Sequence, residues 1–203
     1  LGTVAIFIYV GVEVGIPNFA NLFMTSPEIN IDPTIAGSVV GTYWFLMMIG
    51  RLCGASIGAK VSSRAMLTVV STVGIVLVLG AIFCADNILV NMPVFKSDIS
   101  FGFAQVPVNV MLLILCGLCT SVMWGGIFNL AVEGLGKYTA AASGLFMVMV
   151  CGGGILPLIQ GGVADFAGFL NSYWVIALGL AYILFYAAIG SKNVNTDIPT
   201  DDY

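Results

Sequence analysis

Two apolar runs meet at a short polar hinge in residues 124–165, WGGIFNLAVEGLGKYTAAASGLFMVMVCGGGILPLIQGGVAD, and this stretch constrains the fold most. Each run is long enough to cross a bilayer, since about 20 apolar helical residues span the hydrocarbon. The hinge, residues 133–139, has room only for a tight turn at one membrane face. The second run then breaks its own regularity with Gly152, Gly153, Gly154 and Pro157, and Gln160 follows. Glycine and proline inside a spanning helix free backbone groups that lipid cannot satisfy. Such a helix must pack on protein or line a polar cavity. The stretch therefore predicts a bundle with a pathway through it, not a simple anchor.

The remainder of the chain agrees. Of its 203 residues, 60% are hydrophobic and only 8% are charged. That balance defines a polytopic, all-α membrane protein, with the lipid bilayer as its solvent. Six spans are predicted, at 1–24, 34–59, 65–85, 107–133, 139–164 and 171–190. The net charge of −4 comes without a basic stripe, so nucleic acid is not an expected partner. Histidine is absent, which removes the commonest metal ligand and general base. The chain also has no H-E-x-x-H and no paired intramembrane aspartates. No metal, no cofactor and no enzymatic activity are expected. Cys53, Cys84, Cys116, Cys119 and Cys151 all fall in apolar runs and read as small buried residues. Cys116 and Cys119 form a C-x-x-C without the further ligands that a zinc site needs. The chain begins at Leu1, already inside an apolar run, and is expected to be a piece of a longer protein.

An even number of spans puts both ends on one side. Lys60, Arg64, Lys137 and Lys192 lie in the connections of that side, and only Lys96 lies opposite. The opposite connections carry Glu28, Asp32, Asp86, Asp98 and Asp165. Lysine and arginine collect in the cytoplasm, so both ends are predicted to be cytoplasmic. Residues 1–190 form the membrane domain, and 191–203 form a polar cytoplasmic tail. The long connection 86–106 alternates apolar and polar in part, and reads as a strand-like or interfacial segment on the outer face.

The first span carries Glu13 near its middle. An ionisable residue at that depth is costly and marks a functional site by default. At 100° per residue, Ile6, Tyr9, Glu13, Pro17 and Ala20 share one helix face, while Gly11, Gly15 and Asn18 share the opposite one. The glycine face predicts close helix packing. Pro17 has no N–H, so the Glu13 carbonyl loses its helical partner. A carboxylate, an orphan carbonyl and the Tyr9 hydroxyl then point the same way, which suits a ligand rich in hydroxyl groups. The competing reading is a protonated Glu13 bonded to a neighbouring helix.

Span two holds Tyr43 and Trp44, then Gly50, Arg51, Gly54 and Gly58 before Lys60. Arg51 lies about 13 Å along the helix from Lys60. Either it snorkels to the interface or it pairs with a carboxylate, for which Glu133 is the expected partner. Span three is plain and reads as supporting. Trp124 and Asn129 lie in span four. Trp124 at depth offers a flat apolar platform for the C–H face of a sugar, or packs on lipid and helices. In span six, Tyr173 and Trp174 read as an interfacial aromatic belt.

Spans one to three and four to six are three-helix units of similar length. Such inverted repeats build each half of major facilitator transporters. Gly50-Arg51 with Gly54, Gly58, Lys60 and Arg64 resembles a glycine- and base-rich loop of that superfamily, with Gly58 where an acidic residue is usual. Phe128, Leu130, Leu135-Gly136, Thr139, Ser143, Met147, Gly152-Gly153-Gly154, Pro157, Gly161, Asp165 and Gly168 resemble the fucose permease family of proton-linked sugar symporters. Tyr9-Val-Gly11-Val-Glu13 is similar to its glucose/galactose transporter branch.

The resemblance covers nearly the whole chain, as the C-terminal six of twelve helices. It implies a missing N-terminal half that holds the proton-carrying carboxylates. It also implies a bacterial inner membrane location and proton-coupled (or sodium-coupled) hexose uptake by alternating access. The sugar wall is expected from Glu13, Tyr9, Tyr43, Trp124, Asn129 and Gln160. Gating is expected from Arg51, Glu133, Lys60, Arg64, Gly152, Gly153, Gly154 and Pro157. Glu13 is either a sugar ligand or an added titrating group. A carrier for a drug or nucleoside is the alternative, followed by a non-transporting membrane subunit. Glu13, Asn129, Gln160 and Trp124 favour sugar, because drug sites are more apolar.

Overall fold

The computed structural model describes residues 1–85, 87–96 and 99–192. Among them are six helical spans long and apolar enough to cross a membrane. Spans one to three are α1 (Gly2–Thr25), α2 (Pro33–Gly58) and α3 (Ser63–Phe83). A hairpin of β1 (Leu89–Phe95) and β2 (Phe101–Pro107) follows. Span four is two helices, α4 (Val108–Thr120) and α5 (Met123–Val132). Span five joins α6 (Thr139–Val148) to α7 (Gly152–Ala167) through a 3₁₀ turn at Met149–Cys151. Span six is α8 (Phe169–Phe185), which ends in a π turn at Tyr186–Gly190.

The helix ends have local causes. Pro33 opens α2, where its missing N–H is not needed. Asp32 caps the same helix, its Oδ1 accepting from the Thr34 amide at 2.8 Å. That amide holds the exposed Asp32 carboxyl below its ordinary range. Ser62 caps α3 by accepting from the Ala65 amide at 3.3 Å. The turns after α5 and α7 use Gly134 (φ 79°) and Gly168 (φ 91°), left-handed conformations that favour glycine.

The connection expected to be strand-like is an antiparallel hairpin in which Val90 faces Val106 and Met92 faces Ala104. Met92, Val94, Ala104 and Val106 are buried on one face. The Phe95 amide donates to Thr42 Oγ1 at 2.9 Å, and the Phe45 and Phe95 rings stack 4.7 Å apart. The hairpin is thereby seated on the N-terminal half of α2. Asp86 and Asp98, expected on this side, and 193–203 of the expected tail lie outside the described residues.

The packing has an internal symmetry. Span one packs on span five, and span four packs on span two. Span three packs on span four, and span six packs on span one. Exchanging the first three spans with the last three maps these contacts onto one another. Three spans reverse the direction of the chain, so the two units are inverted repeats. Glycine makes both close contacts. A Cβ on Gly11 would strike Leu156, and one on Gly152 would strike the Phe7 carbonyl. Across the related interface, Cβ atoms on Gly50 and Gly54 would strike Ser121 and Val122. The predicted glycine face of α1 is therefore the face against α7.

Some local expectations change. Tyr173 is fully buried, donating to the Ile16 carbonyl at 2.8 Å, so of the two aromatic residues Trp174 alone is exposed. Cys116 and Cys119 are buried, but Cys53 and Cys151 are exposed on the bundle surface, and all five cysteines are free. An apolar medium outside the bundle accommodates small apolar side chains on either side of its wall.

Candidate functional site

The site is organised around Pro17, inside the continuous helix α1. Pro17 leaves the Glu13 carbonyl without its helical donor. The Tyr43 hydroxyl, from α2, donates to that carbonyl at 3.2 Å. The same hydroxyl lies 3.0 Å from Thr120 Oγ1, at the last residue of α4. Tyr43 was expected beside a sugar. Its side chain is fully buried, and its hydroxyl is occupied between three spans.

The Glu13 side chain faces α2. Arg51 Nη2 donates to Glu13 Oε1 at 3.2 Å and also approaches Met47 Sδ at 3.3 Å. The Glu13 side chain is 14% exposed and that of Arg51 is 58% exposed. The carboxylate is thus set into the bundle wall, with its counter-ion on the open side. The pairing differs from the expected Arg51–Glu133 contact. Arg51 stands two turns inside the end of α2, beside the middle of α1. Glu133 stands at the end of α5 and shares a polar cavity of about 450 Å³ with Arg64, Ser63 and Asn129.

Two aromatic residues complete the cluster. The Tyr9 and Trp124 rings meet edge to face, with centroids 6.0 Å apart. Tyr9 lies one turn before Glu13 on the same face of α1. Its hydroxyl is buried and lies beside the Glu13 carboxylate, without a hydrogen bond of regular geometry. Trp124 is half-buried and reaches the cavity because span four breaks at Ser121 and Val122, just before it. Ser121 Oγ donates to the Leu118 carbonyl at 2.6 Å, a back-bond of the kind that bends helices. Trp124, Arg51, Ser63, Ser121 and Asn129 line one cavity of about 440 Å³.

The other expected wall residues stand apart. Asn129 is exposed near the end of α5 and donates to Ser63 Oγ at 3.4 Å. It shares the cavity with Trp124 but lies toward the end carrying Lys60 and Arg64. Gln160 is fully buried. It faces Gly15 on the opposite side of α1 from Glu13 and donates to Ser172 Oγ at 3.4 Å. The bundle wall therefore separates Gln160 from the Glu13–Arg51 cluster. Gly152 and Gly153 contact α1, whereas nothing lies within 4 Å of a Cβ placed on Gly154. Pro157 lies inside α7, one and a half turns beyond its start. Lys60 is exposed just after α2, and Arg64 lies in the first turn of α3.

Sequence reasoning did not single out Thr120, Ser121 or Ser172, all of which are buried. It also passed over Trp44, whose ring is exposed on α2. Trp44 lines an outer cavity of about 840 Å³ with Thr34, Ser38, Phe45, Phe95 and Lys96. Tyr43 and Trp44 are neighbours about 100° apart around one helix, so only one of them can face the open side.

Six inverted-repeat spans with an ion pair at mid-depth and broken helices beside it define half of a major facilitator transporter fold. The crystal structure of the major facilitator superfamily transporter FucP in the outward conformation has the same fold, with a TM-score of 0.77 at 22% identity. The match covers 95% of this chain and 42% of that one. In sequence, the chain is 30% identical over 194 residues to a glucose/galactose transporter of Brucella abortus, covering 95% of this chain and 42% of the relative. It is 32% identical over 196 residues to a putative glucose/galactose transporter of Helicobacter pylori, covering 94% of this chain and 43% of the relative. An L-fucose-proton symporter of Escherichia coli is 33% identical over 92 residues, or 45% of this chain and 21% of the relative. No family model matches the chain. The chain spans less than half the length of these relatives.

Proposed function

We propose that this chain is the C-terminal half of a proton-coupled hexose transporter, and that Glu13, Arg51, Tyr9 and Trp124 form its share of the sugar site. The observation that carries the reading is the Glu13–Arg51 pair, set beside the Tyr9–Trp124 aromatic contact. A carboxylate accepts from sugar hydroxyls, and an indole face stacks on sugar C–H groups. Arg51 donates to both. The names of the relatives support hexose as the substrate class. Glu13 acts as a sugar ligand in its charged form, with Arg51 as its counter-ion at 3.2 Å. The coupling proton is carried by the other half of the protein. Transport of this kind moves a solute without making or breaking covalent bonds.

The test is uptake by the complete transporter in proteoliposomes, with glucose, galactose and fucose. An inward proton gradient is expected to drive accumulation, and a protonophore is expected to abolish it. Accumulation driven only by a sodium gradient would replace the coupling ion. Failure to exchange any hexose would remove the sugar reading.

Residues 1–190 act in this reading as one membrane half-domain, with 191–203 as a cytoplasmic tail. The location is the bacterial inner membrane, with both ends of the half in the cytoplasm. The basic residues support that orientation: Lys60 and Arg64 at one end of the bundle, Lys96 on the hairpin at the other. In a cysteine-free background, Lys96→Cys is expected to react with an impermeant maleimide from the outside and Lys60→Cys only from the inside. The reverse pattern would invert the topology.

A further inference from the structure

We propose that Tyr43 and Thr120 are positioning residues that set the geometry of the sugar site through the backbone of Glu13. This rests on the hexose-site reading above. Hydrogen-bond donors are short at this point of the bundle. The Glu13 carbonyl is freed by Pro17 and lies inside the bundle, where an unpaired acceptor is costly. Tyr43 Oη is the side-chain donor to it, at 3.2 Å. A phenol has one proton. With that proton spent on Glu13, Thr120 Oγ1 is the donor at 3.0 Å, its own proton shared between Tyr43 Oη and the Cys116 carbonyl 3.2 Å away on the same helix. One chain of hydroxyls thus runs from α4 through α2 to α1.

The ends of this chain matter. At one end is the residue whose carboxylate pairs with Arg51. At the other is the last residue of α4, just before the break that turns Trp124 toward the cavity. Tyr43 and Arg51 also lie on the same helix. α2 therefore holds Glu13 twice, by its carbonyl through Tyr43 and by its carboxylate through Arg51. Neither Tyr43 nor Thr120 is accessible to a ligand, since their side chains are 0% and 1% exposed. Their effect on a sugar must pass through Glu13 and Trp124. A helix tied to its neighbour at two points of one residue keeps one position. Without the hydroxyl, the orphan carbonyl must find another donor, and the carboxylate moves with it.

A double-mutant cycle in the complete transporter tests this, with half-saturating hexose concentration in exchange as the readout. Tyr43→Phe keeps the ring and removes the donor. It is expected to raise that concentration about tenfold in the wild-type background, and less than about twofold when Glu13→Gln is already present. Tyr173→Phe removes a comparable buried bond to α1 near Gln160, and is expected to act equally in both backgrounds. Thr120→Val should reproduce part of the Tyr43→Phe effect and Thr120→Ser should restore it, a second route if Tyr43→Phe fails to fold. Equal losses for Tyr43→Phe in both backgrounds, or for Thr120→Val and Thr120→Ser, would overturn the proposal. Loss of hexose exchange in the wild type would instead defeat the underlying site reading.

Discussion

Replacing Arg51 by glutamine is expected to destabilise the transporter by about 2 kcal/mol and to lower hexose uptake by on the order of 100-fold. The estimate starts from the cost of stranding a buried charge, ~3–5 kcal/mol when burial is complete. Here the pair is lopsided. The Arg51 side chain is 58% exposed, so water already screens part of the interaction. The Glu13 side chain is only 14% exposed and cannot be rescued in that way. Glu13→Gln should therefore cost less folded stability than Arg51→Gln, because the guanidinium it strands can turn to water. Thermal unfolding in detergent distinguishes the two. Exchanging the charges, Glu13→Arg with Arg51→Glu, should recover more stability than either reversal alone. A double reversal no better than the singles would show that the contact does not act as a pair.

The same substitutions separate two roles for Glu13. If it is a charged sugar ligand, Glu13→Gln weakens hexose binding in equilibrium exchange and in uphill uptake alike. If it carries the coupling proton, exchange survives and accumulation fails. The proposed reading predicts the first outcome, with Arg51 at 3.2 Å as the counter-ion of a charged Glu13. A proton taken up there would have to displace that partner in every cycle.

The pattern of what could be read from sequence follows the physics of helices in lipid. Span ends within three residues followed from apolar length, because lipid leaves the backbone no alternative to a helix. The orphan carbonyl at Glu13 followed from Pro17 alone, and the structure supplies its donor. Close packing on one face of α1 followed from Gly11 and Gly15, because small residues let backbones approach, and the structure identifies α7 as the partner.

Azimuth across helices was harder to read. The rotation and depth of α2 together bring Arg51 to Glu13 in the middle of α1, while Glu133 stands at the end of α5. Tyr43 and Trp44 divide between the interior and the open face for the same reason. Gln160 follows a glycine-proline break, yet the break does not say which side of α7 it takes. The kink of span four was hidden because it contains no proline. It falls at Ser121 and Val122, where the hydroxyls of Thr120 and Ser121 both bond back to carbonyls of α4.

The three consecutive glycines should respond in a graded way. Gly152→Ala is expected to destabilise by up to about 3 kcal/mol, the upper end of overpacking costs. Its new Cβ would meet the Phe7 carbonyl, a backbone group that cannot rotate away. Gly153→Ala should cost less, because its nearest neighbour is Val10 Cγ1 at 2.9 Å, a methyl on a side chain that can turn. Gly154→Ala has open space at its Cβ and removes a helix-weakening glycine, so a gain of ~0.5 kcal/mol is expected. Gly152→Val should prevent folding. The site should feel the same order. α1 carries Glu13 on the face away from α7, so pushing α1 off Gly152 drives Glu13 against α2 and misaligns its carboxylate with Arg51. A displacement of about 1 Å is enough to cost on the order of 100-fold in a positioned site. Hexose exchange should thus fall in the order Gly152, Gly153, Gly154 when each is changed to alanine. Equal effects at all three positions would mean that α1 and α7 do not meet this closely in the complete transporter.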